Sequence, residues 1–321
     1  MYIAAFIIFI IIILLAFAMK PFKLNTEPQS NPVQDYEQAC ALVEAAQAED
    51  AEATFLNPVC GTKLLTHGEK TEKVILFFHG FTSCPAQFIQ LGEEFFNQGY
   101  NVYIPRLPRH GTKDREGNTL KGLTAEMLAD FATQAVDIAE GLGSRVIVAG
   151  LSGGGSMAIW IAQVRSDVEL AVPIAPFLGV GFIPSILNRP LTNLLLMLPN
   201  FFQWWDPVNK ANRPDSTPYA YLRYPVHSLL ENMRLGFSAE AAAKTVRPAA
   251  GRIITVSNAN DISVSNKVIA EFEKLWSRYG EEDFRSYQFP KELELPHDLI
   301  SPERPDANTQ LVYSKLLEII H

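Results

Sequence analysis

Near the middle of the chain, the sequence reads Arg145-Val146-Ile147-Val148-Ala149-Gly150-Leu151-Ser152-Gly153-Gly154. The apolar run 146–149 is typical of a buried strand, and the residues after the glycines have helical apolar spacing. Between them, G-x-S-x-G sets a serine on a sharp strand-to-helix turn, where neighbouring glycines let the chain pack closely. The helix behind the turn directs its first N–H groups at the place where an oxyanion would form. The pattern predicts a nucleophilic Ser152; a glycine-rich turn that only packs a helix on a sheet has the same five letters.

Strand and helix patterns alternate along the rest of the chain. Strands are predicted over 74–78, 101–104, 146–149, 168–174, 253–257 and 284–289, and helices over 35–51, 85–98, 124–140, 156–163 and 307–320. This alternation predicts an α/β fold with a mostly parallel central sheet flanked by helices. Catalytic residues of such a sheet are expected at the carboxyl ends of its strands.

A nucleophilic serine needs a base and an acid that orients the base. Of the six histidines, only His297 stands in a loop after the last predicted strand. Asp261 is the only carboxylate in the loop after strand 253–257. Asp298 is the alternative acid, but it directly follows His297 and is poorly placed to hold that ring. The order Ser152, Asp261, His297 is the order expected for this turn.

The loop after the first strand reads His79-Gly80-Phe81-Thr82-Ser83-Cys84-Pro85. With G-x-S-x-G, Asp and His following in order, residues 72–321 resemble the α/β-hydrolase superfamily, especially its microbial carboxylesterase and monoacylglycerol-lipase-like branch. The resemblance implies that the amides of Phe81 and Gly153 form an oxyanion hole and that His79 is structural. Relatives often carry Gly-His-Gly after the next strand, where this chain has Arg109 in place of the first glycine. Arg109 is either at the pocket mouth or solvated.

About 75 residues separate the strand ending near Ala175 from the strand at Ile253. Such a length predicts a helical cap over the active site, at about 176–250. Apolar stretches at 177–183, 191–198 and 201–205 predict either a hydrophobic acyl or lipid pocket or ordinary core packing.

Residues Tyr2 to Met19 carry no charge. As a helix at ~1.5 Å per residue they would be roughly 27 Å long, near the ~30 Å hydrocarbon core. We therefore predict a single-pass membrane anchor over 1–20. The sequence does not determine on which side of the membrane the catalytic domain lies. A cleaved signal peptide also fits, since Ala16-Phe17-Ala18 mimics a cleavage site.

After the predicted anchor, a linker and N-terminal extension are expected over 21–66, and the hydrolase domain over 67–321. Cys40 and Cys60 both lie in the extension and are candidates for a disulfide, with Cys84 left free. Three unpaired thiols are the alternative.

Composition and motifs exclude several function classes. The net charge of −8 and the lack of a basic stripe argue against nucleic-acid binding. The histidines and cysteines lack metal-ligand spacing, and no dinucleotide or phosphate-loop motif is present, so no metal and no cofactor is expected.

The predicted function is hydrolysis of carboxylic esters through an acyl-serine intermediate, on a small-molecule ester or a lipid. Cleavage of a peptide or a thioester by the same residues is an alternative. A catalytically silent, membrane-tethered binding protein is another, although a silent relative would commonly have lost part of the triad.

Overall fold

The structure, a computed structural model, describes residues 9, 16–20, 22–24, 29–280 and 282–321. The described strands are β1 (Lys63–Leu65), β2 (Thr71–Phe78), β3 (Asn101–Ile104), β4 (Gly143–Leu151), β5 (Val168–Ile174), β6 (Phe202–Trp204), β7 (Arg223–Pro225), β8 (Arg252–Asn258) and β9 (Phe284–Phe289). Seven of them form one sheet in the order β1-β3-β2-β4-β5-β8-β9. Its pairings are parallel except for β1, which runs antiparallel to β3. The predicted α/β fold is confirmed.

Helices cover this sheet. They are α1 (Tyr36–Glu52), α2 (Ile89–Phe96), α3 (Ala125–Leu142), α4 (Gly153–Val164), α5 (Ser185–Met197), α6 (Val226–Ala243), α7 (Asn266–Ser277) and α8 (Thr309–Ile320). Most predicted bounds agree within a few residues. The predicted helix over 85–98 instead begins with a 3-10 turn at Pro85–Phe88, and α4 begins at Gly153 rather than at 156.

The central strands are buried because their apolar runs are covered on both faces. Residues 74–78 of β2 and 146–151 of β4 are almost fully excluded from solvent. Such continuous apolar runs are characteristic of parallel strands between two helical layers. The sheet therefore places the carboxyl ends of the parallel strands β2, β4 and β8 at one edge, with β5 between β4 and β8.

The insertion between β5 and β8 has two parts with different roles. Helix α6 packs against α3 and α4, so it is a flanking helix of the sheet. Helix α5 and the short antiparallel ribbon of β6 and β7 precede it in the chain. The segment expected to form a cap therefore also supplies a crossover helix of the body.

The predicted membrane anchor over 1–20, and the membrane localisation based on it, are corrected by the structure. Within the described ranges, no helix is both long enough and apolar enough to cross a bilayer. The end of the predicted span contacts helix α5, since the Asn193 side chain donates to the carbonyls of Ala18 and Lys20 at 2.8 and 3.1 Å. Residues 1–8 and 10–15 of that span lie outside the described residues.

The disulfide joins Cys60 to Cys84, and Cys40 is free. Neither a Cys40–Cys60 bridge nor three free thiols is therefore correct. Cys40 lies on α1, whereas the turn at Pro58–Cys60 packs against the turn at Pro85–Phe88. The bridge ties the N-terminal extension to the loop that follows β2.

Candidate active site

Ser152 occupies a strained turn between β4 and α4. Its φ is +57° and its ψ is −112°, a region that residues with a side chain rarely adopt. The Ser152 N–H donates to the Ile174 carbonyl at 2.9 Å, and the Ser152 carbonyl accepts from Phe177 N at 3.0 Å. These bonds to the end of β5 hold the serine above the carboxyl edge of the sheet.

Glycine is required where α4 passes the end of β2. A Cβ on Gly154 would stand 2.0 Å from the Phe78 carbonyl oxygen. The contact leaves no room for a side chain, so the glycine-rich sequence lets the helix start directly behind the serine.

The three residues predicted to form a triad lie within hydrogen-bond distance of one another. His297 Nε2 is 2.9 Å from Ser152 Oγ, and His297 Nδ1 is 2.5 Å from Asp261 Oδ2. The Asp261 side chain is inaccessible to solvent, whereas that of His297 is 25% exposed. The arrangement can pass a proton from the hydroxyl to the imidazole and stabilise the resulting cation.

The acid loop is held by its own backbone and by Asn258. Asp261 Oδ1 accepts from the amides of Ser263 and Val264 at 2.8 and 3.3 Å, which leaves Oδ2 for His297. Buried Asn258 donates from Nδ2 to the Leu295 carbonyl at 2.8 Å. Asn258 therefore ties the loop of the acid to the loop of the base, a role that sequence analysis did not assign.

Neighbouring charges make His297 more basic than an ordinary histidine. Burial lowers its pKa, but the Asp261 carboxylate, through charge and its hydrogen bond, and then Asp298 raise it, and the net effect is upward. Asp298 does not bond to the ring: its side chain accepts from the amides of Ile300 and Ser301. Asp298 is thus not the orienting acid, although it contributes to the charge around the base.

The backbone of Gly153, the residue after Ser152, lies close to the amide nitrogen of Phe81. The position of a Cβ on Gly153 would lie 2.9 Å from Phe81 N. Gly153 N is the first amide of α4, so the helix dipole adds positive potential there. Two amides of this kind can stabilise a developing oxyanion.

The loop of Phe81 is braced from below by His79 and Gln87. Leu107 N donates to His79 Nε2 at 3.2 Å, so the proton is on Nδ1, which bonds to the Gly80 carbonyl at 3.0 Å. Gln87 Oε1 accepts from Gly80 N at 2.8 Å. His79 is fully buried, and both of its ring nitrogens bond to backbone atoms, of Gly80 and Leu107.

Arg109 does not line the cavity and is exposed to solvent, as the second alternative expected. Its φ is +68°, and its Nη1 donates to the carbonyls of Thr119 and Lys121 at 3.4 and 3.0 Å. The residue thus adopts the left-handed conformation that a glycine would take, and its guanidinium ties two loops together.

A cavity of about 500 Å³ opens over the serine and has two chemical characters. Its apolar lining includes Leu151, Phe177, Trp205, Leu229 and Ile262. Its charged lining is Arg213, Asp215, Glu294, Asp298, Arg304 and Asp306, besides His297. An acyl chain and a polar alcohol could therefore both find matching surface. In the described part of the chain, no group of His, Cys, Asp and Glu side chains is arranged to hold a metal ion.

Only part of the apolar insertion contributes to this cavity. Phe177 and Trp205 line it, whereas the stretch 191–198 in α5 does not. Asn193 of that stretch instead bonds to residues 18 and 20, and Met197 and Leu198 are exposed. The expected apolar pocket is correspondingly smaller than the composition of the insertion suggested.

A sequence model of the alpha/beta hydrolase family matches residues 75–306, which include Ser152, Asp261 and His297. The chain belongs to this family. A thermostable monoacylglycerol lipase from Bacillus sp. (strain H-257) is 28% identical over 206 residues, or 59% of this chain and 70% of the relative.

Solved structures of low sequence identity share the fold. One of two metagenome-derived lipolytic enzymes superposes with a TM-score of 0.62 at 20% identity, covering 83% of this chain and 98% of its own. A monoacylglycerol lipase from Paleococcus ferrophilus superposes with a TM-score of 0.60 at 17% identity, covering 80% and 97%. The α/β-hydrolase assignment thus rests on sequence and fold together.

Proposed function

We propose that this protein hydrolyses carboxylic esters through an acyl-enzyme formed on Ser152. The observation that carries the proposal is the continuous hydrogen-bonded relay from Ser152 Oγ through His297 to Asp261, at 2.9 and 2.5 Å. A silent binding protein has no need for this alignment. Similarity to lipolytic family members supports the same reaction class.

In the proposed first half-reaction, Ser152 Oγ attacks the ester carbonyl while His297 Nε2 takes the hydroxyl proton. The new C–O bond converts the carbonyl oxygen into an oxyanion facing the amides of Phe81 and Gly153. Collapse of this intermediate breaks the bond to the alcohol, which leaves with the proton from His297. The acyl group then remains on Ser152.

Water completes the cycle by the same route. His297 removes a proton from water, whose oxygen attacks the acyl carbonyl and forms a second oxyanion in the same site. Collapse releases the carboxylic acid and returns the proton to Ser152. Asp261 remains ionised throughout and holds the imidazole with Nδ1–H toward its carboxylate.

The cavity favours a small-molecule or lipid ester with a short to medium acyl chain. A volume of about 500 Å³ lies in the lower half of the range of small-molecule sites. The charged lining on one part of the cavity provides hydrogen-bonding groups for a polar alcohol portion. Monoacylglycerols, on which the Bacillus relative is named to act, combine these two characters.

The test is hydrolysis of p-nitrophenyl esters from acetate to palmitate by the full chain, beside Ser152→Ala. We expect activity that depends on Ser152 and has an optimum at short to medium chain length. Folded protein that hydrolyses none of these esters, but cleaves a thioester or a peptide in a Ser152-dependent manner, would contradict the proposed bond specificity. Inertness toward all three would favour a binding role.

A further inference from the structure

Thr82, directly after Phe81, has a backbone conformation that its side chain disfavours. Its φ is +69°, in the left-handed region. A β-branched residue is a clear outlier there because its branches crowd the backbone. Such strain persists only where the surroundings hold the residue in place, and it concentrates at functional sites.

Two residues of the insertion hold Thr82 from opposite ends. The Trp205 indole Nε1 donates to Thr82 Oγ1 at 3.0 Å, and Tyr221 N donates to the Thr82 carbonyl at 2.8 Å. Thr82 is only 5% exposed, so both bonds are largely shielded from water.

The β6–β7 ribbon brings these donors to the loop. Trp205 directly follows β6, and its amide donates to the Leu222 carbonyl at 3.1 Å, just before β7. Tyr224 of β7 packs its ring 4.3 Å from that of Trp205 and 5.8 Å from that of Phe81. The ribbon therefore contacts Thr82 and Phe81 at once.

We propose that Thr82 is a positioning residue, held by Trp205 and Tyr221, that aims the Phe81 amide at the oxyanion. The insertion must then be seated on the loop for the oxyanion hole to exist. This inference rests on the proposed ester hydrolysis and adds what assembles its electrostatic site. It also accounts for the strained threonine, which no step of the proton relay requires.

The test compares variants that break the contact with variants that keep it. Thr82→Val retains the branched shape but loses the acceptor, and Trp205→Phe retains an aromatic lining but loses the donor. Thr82→Ser keeps the oxygen. Trp204→Phe is the matched control, because the neighbouring indole lies over Arg223 and lines no part of the cavity.

The readouts are kcat and KM on a p-nitrophenyl ester and the rate of Ser152 labelling by a fluorophosphonate, with folding checked by circular dichroism. We expect Thr82→Val and Trp205→Phe each to lower kcat by about 10 to 100-fold while KM changes less than about threefold, since a displaced donor weakens only the transition state. Labelling should slow in parallel. The double variant should be no worse than the worse single one, because both changes break one contact. In Thr82→Ser and Trp204→Phe, kcat should stay within about twofold of its wild-type value.

Unchanged kcat in Thr82→Val and Trp205→Phe, or a change in KM alone, would overturn the positioning role while leaving the proposed hydrolysis intact. An equal loss in Trp204→Phe would do the same, because it would show a general effect on folding or packing. Folded wild-type protein that neither hydrolyses the ester nor reacts with the fluorophosphonate would overturn the proposed function and this inference together.

Discussion

The amide nitrogen of Phe81 lies 2.9 Å from the position that a Cβ on Gly153 would occupy. The same absent atom would lie 2.9 Å from Phe81 Cβ. Distances below 3 Å force a displacement, because both atoms belong to a braced loop rather than to a flexible side chain. Gly153 thus allows the start of α4 to lie against the Phe81 amide, one of the two amides proposed as oxyanion donors.

Gly153→Ala is therefore expected to push the Phe81 loop away and lower kcat by about 100-fold, as loss of one oxyanion donor would. Steady-state kinetics on a p-nitrophenyl ester measures the effect. Gly61→Ala is the matched control, because its added Cβ would make an ordinary contact of 3.6 Å with Asp50. Wild-type kcat in folded Gly153→Ala would show that the two amides do not act together.

Asp261→Asn and Asp298→Asn form a pair that separates the orienting acid from its neighbour. Asn at 261 can present its NH₂ group to His297 and stabilise the wrong tautomer, so we expect kcat to fall by about 10³ to 10⁴-fold. Asp298 bonds to backbone amides and not to the ring. We therefore expect Asp298→Asn to lower kcat by less than about tenfold. Equal losses in the two variants would contradict the assignment of Asp261.

The pH dependence of kcat/KM should report the basicity of His297. The base is active when neutral, and Asp261 and Asp298 raise its pKa above the ordinary 6.5 against the opposing effect of burial. Activity should therefore be lost as the pH falls through a midpoint above 6.5. In Asp298→Asn the midpoint should shift to lower pH, because one raising charge is gone. An unmoved midpoint would mean that Asp298 does not act on the base.

His110 should make the fold sensitive to acid. Burial lowers its pKa from 6.5 to about 4, with a smaller contribution from the Arg106 charge. Between pH 6.5 and about 4, the unfolded chain therefore binds a proton that the folded chain does not. The free energy of unfolding falls as the pH is lowered, by on the order of 3 kcal/mol over this range. In urea unfolding experiments, the free energy of unfolding of His110→Phe should fall less between pH 6.5 and 4 than that of wild type. If the free energy of unfolding varied with pH equally in His110→Phe and in wild type, the acid sensitivity would come from groups other than His110.

The sheet and the proximity of Ser152, Asp261 and His297 were predictable from sequence because each depends on local patterns. Strands such as 168–174 are continuous apolar runs, and β5 has those same bounds. Ser152, Asp261 and His297 each follow a strand, and parallel strands bring their carboxyl ends together. Chain order therefore translated directly into proximity.

Contacts across the fold were not predictable in this way. The pairing of Cys60 with Cys84 depends on how the extension packs beside the loop after β2, and sequence spacing favoured Cys40. The bond from Trp205 to Thr82 joins residues 123 positions apart. No periodicity encodes such a distance, although a threonine in a loop that approaches an oxyanion could have drawn attention.

Apolar composition was the misleading signal. It suggested a membrane anchor at residues 1–20 and an acyl pocket lined by 191–198. The described residues near the end of 1–20 instead bond to α5, the helix that contains residues 191–197. Hydropathy alone does not distinguish apolar residues that meet a bilayer or a ligand from those that pack on another part of the chain.

Trapping the acyl-enzyme would identify the nucleophile directly. Protein mixed with p-nitrophenyl butyrate and quenched in acid during turnover should carry one butyryl group by intact mass spectrometry. Peptide mapping should place it on Ser152, and Ser152→Ala should carry none. Turnover without an adduct on wild-type protein, an adduct on another residue, or full activity in Ser152→Ala would show that Ser152 is not the nucleophile.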